Sequence, residues 1–256
     1  MALYNKSLRS FKKVIPTSDN TNTLYSTEFD ECYHSTKDGA LNESLNKHII
    51  PAFNLLKQKE KIIILDICFG LGYNTLATVY YCKTNNIKTK IEIISPEIDE
   101  DLVKSLKDFS YPKEFDSILH IINSISDNLH YEDEQFKISV IVGDARKSLP
   151  TLTQRFDIIY QDAFSPKNNP LLWTKEYFAL LHELCSNDII ITTYSSATTV
   201  RMGLYENGFL IYEHSASGIR AGTIASLKAL DLKLIDMELK ISRNKEAKSL
   251  KDSDFK

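Results

Sequence analysis

The sequence predicts an α/β fold: a mixed seven-stranded, Rossmann-like sheet with helices on both faces and an arm at the N-terminal side. Three observations predict it. The run Ile62-Ile63-Ile64-Leu65-Asp66-Ile67 is apolar up to its acid and passes directly into Cys68-Phe69-Gly70-Leu71-Gly72-Tyr73-Asn74, the pattern of a buried parallel strand turning into a helix. Three further apolar runs, at 91–97, 138–145 and 156–162, each contain an acid at or beside their C-terminal end. A fifth run at 188–194 is followed, after a helical stretch, by runs around 209–214 and 223–227 that read as a terminal antiparallel pair.

The 256 residues suit one large domain with additions. We expect an arm and helix at 1–58, a Rossmann-like domain at 59–230 and a basic helical tail at 231–256. With 25% charged residues and a net charge of −3, composition argues for neither a nucleic-acid nor a membrane partner, so any basic surface is local. The four cysteines form no C-x-x-C pair, which points to reduced thiols in a cytoplasmic protein, and the six histidines show no metal-ligand spacing. No apolar run approaches the roughly 20 residues of a membrane span. The N-terminal stretch with Lys6, Arg9, Lys12 and Lys13 lacks the apolar centre of a signal peptide.

In chain order, the polar string 17–22 reads as a loop, and 24–35, rich in aromatics and carboxylates, as a strand or arm on the main domain. Ala40, Leu41, Leu45, Ile49, Phe53 and Leu56 give helical spacing, which Pro51 should kink or divide. Two of the chain's eight glycines, Gly70 and Gly72, fall in the turn after the first central strand, where positive φ or close approach to a ligand is needed, and Asn74 is placed to cap the next helix. Cys68 stands where many nucleotide loops have their first glycine, so G-x-G-x-x-G is absent. That absence favours a ligand without pyrophosphate, such as S-adenosylmethionine.

Glu97 ends the second strand of this unit at the position from which an acid accepts ribose hydroxyls. Asp99, Glu100 and Asp101 suit a helix N-terminus. Residues 102–136 read as amphipathic helix broken near Tyr111-Pro112. Asp144, with Ala145 beside it, either meets an adenine or simply caps a helix. Asp162 points into the same crevice as Asp66, on a loop stiffened by Pro166 and Pro170 that holds the single tryptophan, Trp173. From Asp231 on, a helix leads to a tail with Lys240, Arg243, Lys245, Lys248, Lys251 and Lys256, for which a solvated face and frayed end is the plainer account and RNA contact the other.

Phe69-Gly70-x-Gly72-x-Asn74, Asp162-Ala163-Phe164-x-Pro166-x-x-Asn169-Pro170-x-x-Trp173 and Thr193-Tyr194-Ser195-Ser196-Ala197 resemble the methyltransferase domain of the MnmC family, bacterial enzymes of wobble-uridine modification in tRNA. In the arm, Tyr25-Ser26-x-x-Phe29-Asp30-x-x-Tyr33 and then Glu43 stand in the family's order. The resemblance spans roughly residues 23–228. It departs at Cys68 and Leu71, where the family has Gly and Thr, and at Pro96, where it has an aromatic.

The resemblance implies a class I S-adenosylmethionine-dependent methyltransferase that methylates the exocyclic amine of 5-aminomethyl-(2-thio)uridine and releases S-adenosylhomocysteine. No metal is implied, and no FAD, since a second glycine-rich fingerprint for an oxidase is absent from the sequence. The implied partners are a tRNA anticodon loop and a separate oxidase or aminomethyl-forming enzyme. Asp162 would orient the attacking amine. The cofactor would lie among Asp66, Phe69, Gly70, Gly72, Asn74, Glu97, Asp144 and Ala145, closed by Glu43 and Tyr25. Phe164, Pro166, Lys167 and Trp173 would face the substrate, with Lys167, Arg201 and Arg220 as candidates for phosphate contact. Two other functions fit the same fold: aminopropyl or methyl transfer to a small amine, and a non-catalytic module that binds S-adenosylmethionine or RNA.

Overall fold

The computed structural model describes residues 12–216, 219–244 and 246–255; Lys6, Arg9, Lys245 and Lys256 lie outside them. The arm is a small antiparallel sheet of β1 (Lys12–Pro16), β2 (Asn22–Ser26) and β3 (Glu31–Cys32). It is followed by α1 (Ala40–Glu43), a π-helical segment Ser44–Ile49 and α2 (Ile50–Leu55), which run on without a break. Pro51 therefore does not divide the helix. It has no N–H to offer the carbonyl of residue 47, and the turn before it widens into i→i+5 geometry instead.

The main sheet is built from β4 (Lys61–Ile67), β5 (Lys90–Glu97), β6 (His130–Glu132), β7 (Phe136–Val142), β8 (Phe156–Gln161), β9 (Cys185–Thr193), β10 (Leu210–His214) and β11 (Gly222–Ser226). Their order is β10-β11-β9-β8-β4-β5-β7-β6, with the five strands from β9 to β7 mutually parallel and the outer three antiparallel. The eighth strand, β6, falls where the sequence reads as helix. Leu129 in the left-handed region (φ 58°) ends the helix before it, and Asp133 accepts from the Gln135 and Phe136 N–H groups to close the β6–β7 turn.

The period-2 alternation of the strands serves two cores. Ile64, Ile93, Ile138 and Ile158 pack on one face with Leu76 and Val79 of α3 (Tyr73–Thr84) and Ile121 and Ile125 of α5 (Leu119–Asn128). Leu65, Ile94, Ile159 and Ile191 pack on the other with Phe178 and Leu181 of α7 (Lys175–Leu184) and Val200 and Leu204 of α8 (Thr198–Tyr205). Each of these buried aliphatics contributes about 1.5–3 kcal/mol. The strands carrying the site are thus clamped from both sides. Two short helices, α4 (Glu100–Ser105) and α6 (Ala145–Ser148), complete the crossings after β5 and β7.

The C-terminal segment is not helical from Asp231 as expected: 231–236 is irregular, with Leu234 bridged to Tyr212, and α9 spans Met237–Arg243; the described end is docked rather than frayed. Ser249 is buried, and Asp252 pairs with the Arg146 guanidinium and accepts from Thr174 Oγ1 at 2.7 Å. Arg201, a candidate for RNA contact in the sequence, is buried. Its Nε donates to Thr223 Oγ1 at 2.9 Å and a terminal nitrogen donates to the Gly222 carbonyl, so it ties α8 to β11 and has no free face for a phosphate. No helix among the described residues is long and apolar enough to cross a membrane.

Candidate active site

The order of strands reverses between β4 and β8, and ligands of open α/β sheets bind outside the strand ends at such a switch point. A cavity of about 820 Å³ opens there. Its floor is the loop after β4 with Glu97 and Asp162, and its roof is the arm with the π-helical segment.

The loop after β4 is strained into shape. Cys68, Gly70 and Gly72 all have positive φ (66°, 53° and 71°), so Cys68 holds the conformation for which nucleotide loops use glycine. A Cβ on Gly72 would stand 2.9 Å from the Phe69 ring, which adds a steric reason for glycine there. Glu97 locks the loop from the side: Gly70 N–H donates to its Oε2 at 2.8 Å and Asp99 N–H to its Oε1 at 2.9 Å. Burial raises the Glu97 carboxyl above its ordinary value, against those backbone donors. Ile98 beside it is 69% exposed and lines the cavity, an apolar face next to an acceptor pair.

Asn74 does not cap α3; it lies inside the first turn, and its amide bridges two acids. Nδ2 donates to Asp162 Oδ2 at 2.8 Å and, at 3.3 Å, to Asp66 Oδ1. The Asn74 Oδ1 acceptor is buried and finds no partner among the described residues. The two acids diverge. Burial, reinforced by the neighbouring Asp162 and Glu97 carboxylates, pushes Asp66 up to about 8, although Thr75 Oγ1 donates to it at 2.8 Å. Burial also works against ionisation of Asp162, but His48, then His34 and Asn74, outweigh it and bring that carboxyl down to about 2. Asp162 is a fixed anion at neutral pH, and Asp66 is mostly neutral.

Beside Glu43, which was expected here, the roof supplies residues that the sequence did not single out. In the wider π turn Glu43, Lys47 and His48 all turn inward, where an α period would have separated position 48 from the other two. Lys47 Nζ donates to Glu43 Oε1 at 2.7 Å and Asp38 Oδ2 at 2.8 Å, and Ser35 N–H donates to Glu43 Oε2. His48 is fully buried, with Nδ1 2.9 Å from Thr192 Oγ1 and Nε2 3.5 Å from Asp162 Oδ1. The arm reaches across to the loop after β8: Ser165 N–H and Oγ and Asn168 Nδ2 donate to Glu31. Above that contact Phe164 stacks on Phe29 (4.6 Å, 22°) and meets the edge of Tyr33.

Of the residues expected at the site, Asp162, Phe69, Gly70, Asn74, Glu97, Glu43 and Phe164 line this cavity. Asp66 and Gly72 stand directly behind it, in the hydrogen-bond network and the turn. The others lie elsewhere. Tyr25 donates to Asp30 within the arm, and Asp144 caps α6 by accepting from Arg146 N–H at 2.9 Å, with Ala145 buried beneath. Trp173 is fully buried and donates to the Phe164 carbonyl at 2.7 Å, so it shapes the loop from behind. Pro166 and exposed Lys167 sit at the tip of that loop, outside the cavity, whereas exposed Arg220 is at its mouth. His34, Lys47 and His48 carried no spacing signal in the sequence. Among the described residues no group of three or more metal-binding side chains is assembled.

Comparison with known proteins agrees with this geometry. A family model described as S-adenosyl-L-methionine-dependent methyltransferase matches residues 113–229. The crystal structure of MNMC2 from Aquifex aeolicus is 33% identical, covers 95% of this chain and 79% of that one, and superposes with a TM-score of 0.83. A tRNA 5-methylaminomethyl-2-thiouridine biosynthesis bifunctional protein MnmC, from an Azoarcus species, is 32% identical over 202 residues, 73% of this chain and 31% of its own. An uncharacterized protein of Methanocaldococcus jannaschii is 29% identical over 229 residues, 87% of this chain and 61% of its own. The chain thus spans about three fifths of the archaeal relative and a third of the bifunctional one. It belongs to the class I S-adenosyl-L-methionine-dependent methyltransferases of the MnmC2 kind.

Proposed function

We propose that this chain methylates the exocyclic amine of 5-aminomethyl-(2-thio)uridine at the tRNA wobble position, in the cytoplasm, on a precursor exposed by a separate oxidase or another aminomethyl-forming enzyme. The observation that carries the proposal is the ionised Asp162 at the meeting of floor and roof, under the aromatic group Phe29, Tyr33 and Phe164. The residues fit S-adenosylmethionine: Glu97 has lone pairs left for ribose hydroxyls, Ile98 offers an apolar face for adenine, and the unpartnered Asn74 Oδ1, with the Lys47-bound Glu43 nearby, suits the ammonium of the amino-acid end. When bound, that cofactor supplies a methyl group already activated by its sulfonium.

The protein's work is alignment and desolvation. A carboxylate held near 2 is a weak base, so Asp162 does not store the amine's proton. It accepts an amine N–H and thereby aims the lone pair. The amine, with an alkylammonium pKa of about 10, loses its proton to solvent before it is enclosed. Phe29, Tyr33 and Phe164 present ring faces and edges that a splayed-out base can stack on, as in other single-stranded RNA sites. Lys167 and Arg220, both exposed near the rim, suit the flanking phosphates.

A second acceptor class is favoured by one observation, the number of carboxylates around the cavity, which would suit a small polyamine. Most of them are already engaged: Asp38 and Glu43 by Lys47, Asp99 by Lys12, Glu31 by the loop after β8 and Glu97 by backbone N–H groups. That leaves Asp162 as the anion deep in the site. Incubating the protein and labelled S-adenosylmethionine with tRNA from cells lacking it, then analysing nucleosides by mass spectrometry, tests the proposal. A methylaminomethyl-uridine is expected. Label appearing only in added diamines would transfer the site to small amines, and cofactor binding without any transfer would make the chain a binding module.

A further inference from the structure

We propose that His48 is a positioning residue for Asp162: proton-bearing at Nε2 and anchored through Nδ1 by Thr192, it holds the carboxylate from one side while Asn74 holds it from the other, leaving the remaining lone pairs aimed into the cavity. The inference rests on the methyl-transfer function above. It stands on geometry. The ring is fully buried, Nδ1 is 2.9 Å from Thr192 Oγ1, and Nε2 is a buried polar atom with no hydrogen-bond partner among the described residues, 3.5 Å from Asp162 Oδ1. The opposite oxygen, Oδ2, receives Asn74 Nδ2 at 2.8 Å.

A buried ring nitrogen left without a partner is costly, and here it faces the Asp162 carboxylate. A hydroxyl can donate or accept; with the proton on Nε2 facing the Asp162 anion, Nδ1 is the acceptor and Thr192 Oγ1, at the end of β9, its donor. The edge of Tyr160, 5.7 Å between centroids, limits ring rotation. The π-helical turn brings the residue here, and such turns occur frequently at functional sites.

Other titratable groups face this pair: His34 from the arm, Glu43 and Lys47 on the same helix, Asp66 and Cys68 at the end of β4, and the phenols Tyr160 and Tyr194. Burial pushes Cys68, Tyr160 and Tyr194 well up, so they stay neutral through the physiological range. His34 is held low by burial, and Lys47 is raised by its two carboxylates against the pull of burial. Asp66 is raised to about 8 by burial and by the Asp162 and Glu97 carboxylates, so its titration lies on the alkaline side of the range and not on an acid limb. A difference between wild type and His48 variants on the acid side of the pH profile therefore reports Asp162.

The test is kcat against pH from 5 to 9 for full-length wild type, His48→Ala and His48→Gln, on tRNA carrying 5-aminomethyluridine, with the dissociation constant of S-adenosylmethionine measured alongside. With Asp162 near 2, wild type shows no acid limb from it in this range. Removing the imidazole leaves burial less opposed, so the Asp162 carboxyl rises and activity, which needs the anion, falls as pH drops through the new value. His48→Ala is expected to lose at least tenfold in kcat at pH 7, gain an acid limb, and bind the cofactor within about threefold of wild type. His48→Gln, whose amide nitrogen replaces Nε2, restores most of the rate. A wild-type kcat in His48→Ala overturns the proposal, as does a lower kcat with an unchanged profile in both variants, which would be a packing effect. Should His48→Ala fail to fold, Thr192→Val takes its place: an acid limb supports the proposal and a wild-type profile overturns it. An inactive wild type overturns the functional proposal and this one together, whereas an active wild type with indifferent variants overturns only the role of His48.

Discussion

The floor and the roof of the cavity are built on different physics. The floor is the C-terminal edge of a parallel sheet, where Glu97 and the glycine turn are fixed by backbone N–H groups and by strands clamped in two apolar cores. The roof is held by side chains meeting side chains: Lys47 between Asp38 and Glu43, Lys12 on Asp99, Phe29 on Phe164. A floor of this kind is preorganised for one small ligand, and a roof of this kind can separate from it. Under the proposed function the cofactor would rest on the floor, with Glu43 above its amino-acid end, and the acceptor would meet the aromatic group of the roof, with Asp162 between them.

Asp162→Asn should have the largest effect. Loss of the anion is expected to lower kcat by about a hundredfold or more, the usual scale for losing one preorganised polar contact to the reacting group, with cofactor affinity within a few-fold. Single-turnover kinetics and equilibrium dialysis check it. Cofactor affinity falling as far as the rate would move Asp162 wholly into the floor.

Asp66 makes the floor costly at high pH. Its carboxyl titrates near 8 in the folded protein and near 3.9 when unfolded. Between those values the unfolded chain releases a proton that the folded one keeps. The stability contributed by the neutral form is therefore complete below about pH 4 and is lost as pH rises to about 8. Asp66→Asn should flatten this slope and stabilise the protein at pH 8 by a few kcal/mol, read from urea unfolding at pH 5 and pH 8. An unchanged slope would place the titration elsewhere in the network.

Glu97→Ala sharpens the comparison from the floor side. Hydrogen bonds to a charged group are worth about 1.5–3 kcal/mol, so cofactor affinity should fall about ten- to a hundredfold while kcat at saturation changes little. A matching loss in acceptor affinity would show that floor and roof are not independent.

The floor was legible in the sequence from its own residues, the roof only in part, through the arm motif and Glu43. An apolar run ending in an acid and a glycine turn is a local pattern, so Asp66, Gly70, Gly72, Glu97 and Asp162 could be read directly. The same runs located the strands of the main sheet, except for β6, which an αL residue at Leu129 splits from the preceding helix. Lys47 and His48 were invisible because an α period puts them on different faces, and only the π turn before Pro51 brings both inward. Trp173 and Tyr25 show the opposite failure. Their place in a motif marked them as pocket walls, yet one buttresses its loop from the core and the other bonds Asp30 in its own arm. Sequence order records that such residues matter without recording which way they face.

The smallest expected effect comes from the hinge between the two regions. Glu31 accepts from Ser165 N–H at 3.0 Å, Ser165 Oγ at 2.8 Å and Asn168 Nδ2 at 3.0 Å, and these contacts join the arm to the loop that carries Phe164. The carboxylate is only half-buried, so each contact competes with water and its loss is modest. Glu31→Ala should let arm and loop part, raising KM for tRNA about three- to tenfold with kcat nearly preserved and cofactor affinity unchanged, since Glu97 and the glycine turn do not touch Glu31. Glu31→Gln keeps an uncharged amide oxygen where all three donors converge and should fall between wild type and Glu31→Ala. A loss of cofactor affinity in Glu31→Ala would mean that the roof also orders the floor, and that the site assembles as one unit only when the arm is closed.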